Sequence, residues 1–151
     1  MKVEKEPGRH GGFNIYVIIG RKENKSYFSA PSENIDHAGL EYISDRFPII
    51  NTKKKTDDFK RLYKNLWIEI TDYQRELMEH CIGLNYKKKP YRNYFFTKET
   101  DKDWNELVQK GLAIKSLNRP IEDGYMYFWL TRQGIEFILR KSVSENFYKE
   151  L

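Results

Sequence analysis

Residues 87 to 98 read KKKPYRNYFFTK and gather side chains suited to holding a polyanion. Lys87, Lys88, Lys89, Arg92 and Lys98 can each neutralise a phosphate, and Tyr91 or Tyr94 can stack on an unpaired base or a sugar face. No carboxylate interrupts the run. The same residues also have a purely structural use, in which Tyr94, Phe95 and Phe96 fill a core, Pro90 orders a loop and the lysines are solvated. Arg92 and Asn93 have a third use, satisfying carbonyls left unpaired where a helix is missing. Phe95 and Phe96 are neighbours, so an extended segment sends them to opposite sides and leaves at least one ring on another surface.

A second cationic cluster, Lys53, Lys54 and Lys55, reads as part of a link between two helices, either a second anchor for the same partner or a solvated loop. Elsewhere the types and spacings that catalysis needs are missing. His80 and Cys81 are adjacent on an expected helix and point about 100° apart, so they cannot pair as base and nucleophile. Cys81 falls on an apolar stripe and reads as core. His10 and His37 lack carboxylate or thiolate neighbours at ligand spacing. Gly8, Gly11 and Gly12 precede a strand, whereas a phosphate-binding loop links a strand to a helix. No carboxylate pair sits where a two-metal nuclease requires one. The expectation is a non-catalytic protein with no cofactor and no metal.

The elements that must carry these residues are compatible with that view. A chain of 151 residues accommodates one ordinary domain or two very small ones. Aromatic residues make up 15% of it, so the core is expected to be ring-rich, and the net charge of +5 favours a polyanionic partner. The longest apolar run, Ile15 to Ile19, is too short to span a bilayer, and the N-terminal residues lack the apolar stretch of a signal peptide. A single cysteine rules out an internal disulfide and points to a reducing, cytoplasmic setting.

Residues 1–12, with Pro7, Gly8, Gly11 and Gly12 among charges, read as a flexible lead-in. Residues 13–70 read as a ββαα portion: FNIYVIIG pairs with YFSA, a helix follows Ser32 with Leu40, Ile43 and Phe47 on one face, and another begins at Thr56 with Phe59, Leu62, Tyr63 and Leu66 facing inward. Residues 71–151 open with a capping box at Thr71 and Gln74, followed by a stripe of Tyr73, Leu77, Met78 and Cys81 that ends at Gly83. Thr100, Asp101 and Asp103 signal another helix start, with Trp104, Leu107 and Val108 inward and Gly111 as its stop. LAIKSL and YMYFWL then form a β-hairpin around a polar tip, and Thr131 caps a last helix with Ile135, Ile138 and Leu139 inward.

The order helix, LVQKGLAIK, hairpin, YFWLTRQGIEFIL resembles the second half of a winged-helix domain, in which a recognition helix ends in a leucine and a glycine, a two-stranded wing follows, and a Leu-Thr-x-x-Gly junction opens the next helix. Here the junction is Leu130, Thr131 and Gly134. The likeness covers about thirty-five residues. The sequence departs from the family where GLNYKKKPYRNYFFT takes the place of a middle helix, because Pro90 disfavours a regular helix there. The resemblance implies an α+β fold whose C-terminal half is a truncated winged helix: helix, basic aromatic loop, helix, wing and helix. It further implies base reading by Asn105 and Gln109 and phosphate contact by Lys102 and Lys110; a wing contact falls to Arg119 alone, followed by Glu122 and Asp123 in a tip of mixed sign. Asp101, Asp103 and Glu106 share that helix, and carboxylates facing a duplex oppose such a role.

Residues 79 to about 139, through HCIGLN, KKKPYRNYF, DWNELVQKG and LTRQG, are also similar to small uncharacterised phage- and prophage-encoded proteins. That similarity implies an accessory protein of a mobile element and no particular reaction. Two functions are therefore expected. One is stoichiometric inhibition of a host defence nuclease or its nucleoprotein complex, in the manner of an anti-CRISPR protein. The other is direct binding of DNA or RNA as a phage regulatory factor.

Overall fold

The computed structural model describes residues 1–20, 25–30, 52–118 and 122–151. These form a mixed α+β structure with two three-stranded antiparallel sheets and five helices. The chain divides into two compact units, Met1–Ile68 with Arg140–Ser142, and Glu69–Leu139 with Val143–Leu151. Among the described residues no helix is long and apolar enough to cross a membrane.

In the first unit, β1 (Lys2–Pro7), β2 (Phe13–Ile18) and β3 (Lys25–Ala30) form a meander in which Val3 lies opposite Val17 and Ile15 opposite Phe28. β1 replaces most of the expected flexible lead-in. It is an edge strand whose only buried residue is Val3, so its charges and terminal proline hide the alternation that identifies strands. Helix α1 (Lys53–Asn65) lays Phe59, Leu62 and Tyr63 against Val3, Ile15 and Val17. Thr52 caps it by accepting from the Lys55 N–H at 3.2 Å, so the helix begins three residues before the expected start at Thr56. Lys53, Lys54 and Lys55 are therefore the first helical turn and not an interhelical link. No acidic residue accompanies them in that turn, although it is the positive end of the helix dipole. The helix expected over residues 32–47 lies outside the described residues.

In the second unit, helix α2 (Asp72–Cys81) carries the anticipated capping box, with both reciprocal Thr71–Gln74 bonds at 3.0 Å. Leu77, Met78 and Cys81 are buried, but Tyr73 is 58% exposed. Gln74 takes the inward position instead, donating from Nε2 to Asp103 at 3.2 Å and to Glu106 at 2.7 Å. Strand β4 (Phe95–Lys98) leads to helix α3 (Lys102–Gln109), which Asp101 caps by accepting from the Trp104 N–H at 3.0 Å. Strands β5 (Ala113–Lys115) and β6 (Tyr125–Leu130) complete a sheet of order β4-β6-β5. Helix α4 (Arg132–Leu139) and the short α5 (Glu145–Lys149) close the chain.

The inner face of this sheet packs on aromatic rings. Trp104 lies between Phe95 and Phe128, with centroids at 5.0 and 5.6 Å, and Leu107, Leu112, Leu130 and Ile135 are fully buried around it. Truncating a ring of this kind to alanine costs about 3–5 kcal/mol. The Leu-Thr-x-x-Gly junction has a direct physical reading. Thr131 Oγ1 donates to the Gly111 carbonyl at 2.7 Å and accepts from the Gly134 N–H at 2.9 Å. The first turn of α4 then sits so close to Leu112 that a Cβ on Gly134 would strike its carbonyl oxygen.

A candidate basic and aromatic interface

The loop from Ile82 to Tyr94 begins where α2 stops. Gly83, at φ 85°, donates to the His80 carbonyl at 3.1 Å, and Leu84 donates to Glu79 at 2.9 Å, a Schellman arrangement that needs a residue tolerant of positive φ. The Tyr91 ring lies directly over Gly83, where a side chain would collide with it. Two returning bonds, Tyr91 N–H to Ile82 at 3.2 Å and Tyr94 N–H to Cys81 at 3.2 Å, hold the far end of the loop against the end of the helix.

Arg92 and Asn93 serve this frame. Arg92 Nη2 donates to the His80 carbonyl at 2.9 Å, and its guanidinium stands 5.5 Å from the centroids of Tyr91 and Tyr94 and 5.9 Å from that of Tyr86. Asn93 accepts from the Leu130 N–H at 2.8 Å and donates to the Leu130 carbonyl at 2.9 Å, continuing the β4–β6 pairing by one side chain. Arg92 Nη2 and the Asn93 amide are thus engaged with backbone, while Arg92 Nε is buried without a hydrogen-bond partner. Lys87, Lys88 and Lys89 are exposed, with the Lys87 ammonium 4.6 Å from the Tyr91 centroid. Lys98 is exposed at the end of β4.

The two adjacent phenylalanines separate as an extended segment requires. Phe95 packs on Trp104 and edge-on to His80, whereas Phe96 is 45% exposed. Phe96 belongs to an outward sheet face that the sequence reading missed. The outward positions of β4, β5 and β6 are Phe96, Lys98, Ile114, Tyr125, Tyr127 and Trp129: five apolar or aromatic side chains, one cation and no carboxylate. Phe96 stands 4.9 Å from Tyr127 and 5.4 Å from Tyr125, and Tyr94 is 6.4 Å from Tyr127. The signal was present in YMYFWL, where Tyr125, Tyr127 and Trp129 alternate with the buried Met126, Phe128 and Leu130.

The other expected contact residues are dispersed. Asn105 donates from Nδ2 to the carbonyls of Glu99 and Asp101 at 2.8 and 2.6 Å and accepts from Lys115 Nζ at 3.3 Å, so its amide is engaged within the protein. Lys102 and Gln109 are exposed on α3, with Lys102 Nζ 4.0 Å from Glu106. The carboxylates of that helix are engaged within the protein: Asp101 caps it, and Asp103 and Glu106 receive Gln74. Lys53, Lys54 and Lys55 belong to the first unit, and Arg119 lies outside the described residues. Burial pushes the Cys81 thiol up to about 12, and its Sγ donates to Asn93 Oδ1 at 3.4 Å, so it stays protonated and unreactive at neutral pH. The chain matches no family model, no curated protein and no solved structure.

Proposed function

We propose that the protein acts by stoichiometric binding, without catalysis, and that its second unit holds a nucleic acid through Lys87, Lys88, Lys89 and Lys98. The observation that carries this reading is the division of labour in the loop: Arg92 and Asn93 fix its backbone while the four lysines remain free of ion pairs among the described residues and face solvent beside exposed rings. Charges held in place beside aromatic surface are what backbone neutralisation and base stacking require. We read the unit as a winged-helix variant in which the loop and β4 stand where a middle helix is expected. The β4-β6-β5 order and the Thr131–Gly134 junction support that reading.

The test is an electrophoretic shift with duplex and single-stranded DNA and RNA across a salt series. Binding that weakens as salt rises, and that Lys87→Ala, Lys88→Ala and Lys89→Ala together weaken and make less salt-dependent, supports the proposal. Absence of binding to every nucleic acid at low salt overturns it. A second reading, inhibition of a host defence nuclease or its nucleoprotein complex by a phage-type protein, is favoured by the engagement of Asn105, which leaves α3 poorly equipped to read a duplex. Its test is co-purification with such a nuclease and loss of cleavage; a panel of host effectors that all retain activity would sink it.

A further inference from the structure

We infer that the outward face of the β4-β6-β5 sheet is a stacking platform for unpaired bases, so the nucleic acid this unit takes is single-stranded. The inference rests on the binding proposal above and adds the substrate class.

Three observations carry it. Phe96, Tyr127 and Tyr94 are 45%, 44% and 52% exposed, so their rings are available on the surface of the unit. They adjoin one another and Tyr125 through centroid separations of 4.9 to 6.4 Å, while Tyr125, Tyr127 and Trp129 alternate along one strand. Side chains two residues apart on a strand face are about 7 Å apart, which gives successive rings separate partners. A single strand can turn its bases onto such rings; a duplex keeps its bases stacked inside and offers the face only phosphates.

Charge then favours a nucleic acid over a second copy of the same face. Lys98 is the one ionisable side chain apart from tyrosine among the outward strand positions, and its ammonium lies 6.0 Å from the Tyr125 centroid. A second copy of this face would have to desolvate that ammonium with no carboxylate at its own outward strand positions to receive it. A phosphate between stacked bases would meet it directly. The cations Lys87, Lys88 and Lys89, in the loop that leads into β4, supply the sequence-independent attraction for the rest of the strand.

The experiment is fluorescence anisotropy with a labelled oligothymidylate of about 15 nucleotides, a length within the usual span of single-strand sites, against the same strand annealed to its complement. Sedimentation of the protein alone runs in parallel. Tighter binding of the single strand is expected. Phe96→Ala and Tyr127→Ala should each weaken it roughly five- to a hundredfold without changing the salt slope, because neither removes a charge. Tyr127→Phe should bind like the parent. Tyr127→Thr, which keeps a strand-favouring residue, stands in should the alanine variant fail to fold. Equal or tighter duplex binding that is indifferent to the ring substitutions would overturn the platform while leaving the binding proposal intact. Failure of both oligonucleotides, and of an oligouridylate of the same length, would overturn both. Concentration-dependent dimers that the ring substitutions dissolve, without oligonucleotide binding, would overturn the platform and assign the face to self-association.

Discussion

The side-chain amide of Asn93 and the main chain of Leu130 form a closed pair of hydrogen bonds, N–H to Oδ1 at 2.8 Å and Nδ2–H to carbonyl at 2.9 Å. The Leu130 carbonyl also accepts from the Tyr148 hydroxyl at 3.1 Å, and Cys81 donates to the same Asn93 oxygen. One amide therefore ties together the end of α2, the loop and the end of β6. It acts there as a strand residue would, at a place where no strand continues.

Removing that amide leaves the buried Leu130 N–H without an acceptor. Asn93→Ala is expected to lower stability by about 2–3 kcal/mol, near the cost of an unsatisfied buried donor plus the missing partner bond. Asn93→Asp keeps the acceptor but at neutral pH sets a carboxylate oxygen against the Leu130 carbonyl, so it should cost at least as much as the alanine there and less once low pH protonates the new carboxyl. Urea denaturation measures both, and an alanine variant as stable as the parent would remove the tie from any account of the loop.

Gly134 gives a prediction whose sign opposes helix propensity. Alanine is better than glycine inside a helix by about 1 kcal/mol. Here the new Cβ meets the Leu112 carbonyl, and overpacking of that kind costs about 1–3 kcal/mol. Gly134→Ala should therefore lower the midpoint of thermal unfolding, and a rise would show that α4 can move away from Leu112.

Arg92 and its lysine neighbours should separate in experiment although they share a charge and a loop. Arg92→Ala removes the bond to the His80 carbonyl and the packing on three tyrosines, so it is expected to destabilise the second unit by about 1–2 kcal/mol. Replacing Lys87, Lys88 and Lys89 should leave unfolding within about 0.5 kcal/mol of the parent. The lysine variant should instead flatten the salt dependence of single-strand binding, by about 0.7 in the logarithmic slope for each phosphate no longer neutralised.

Cys81 supplies a pH dependence. Its folded value, pushed up to about 12 by burial, lies above the ordinary 9.0, so the unfolded chain loses this proton first. The contribution is fully present below pH 9 and is lost as pH rises toward 12. Cys81→Ala should flatten the alkaline fall in stability over that window. Native protein at about pH 8, below the ordinary thiol value, should react with a thiol reagent only as fast as it opens.

How much of this was legible in the sequence depends on whether a signal was local. The Thr71–Gln74 capping box and the Thr131–Gly134 junction are satisfied by neighbours three residues away, and both could be read directly. β1 could not, because one inward valine among charges has no periodicity of its own and its strand character comes from pairing with β2. The start of α1 was displaced because a lysine run is a poor opening for a helix, whereas Thr52 supplies the cap regardless. At the site, the frame role of Asn93 was among the readings, but its partner lies 37 residues away and only the fold identifies it. The aromatic face was obscured for a different reason. Both faces of YMYFWL are apolar, so the alternation alone did not say which one the core takes.

Ser142 and Met1 share a main-chain hydrogen bond of 2.8 Å, and both belong to the first unit although nearly the whole chain separates them. During synthesis, then, the first unit starts ahead of the second but is completed only after most of the second has been made. Its strands and α1 can assemble early, but its last stretch of backbone arrives only after β6 and α4 have been made. Translation that stops short of residue 140 would leave the first unit waiting for three of its own residues, Arg140–Ser142.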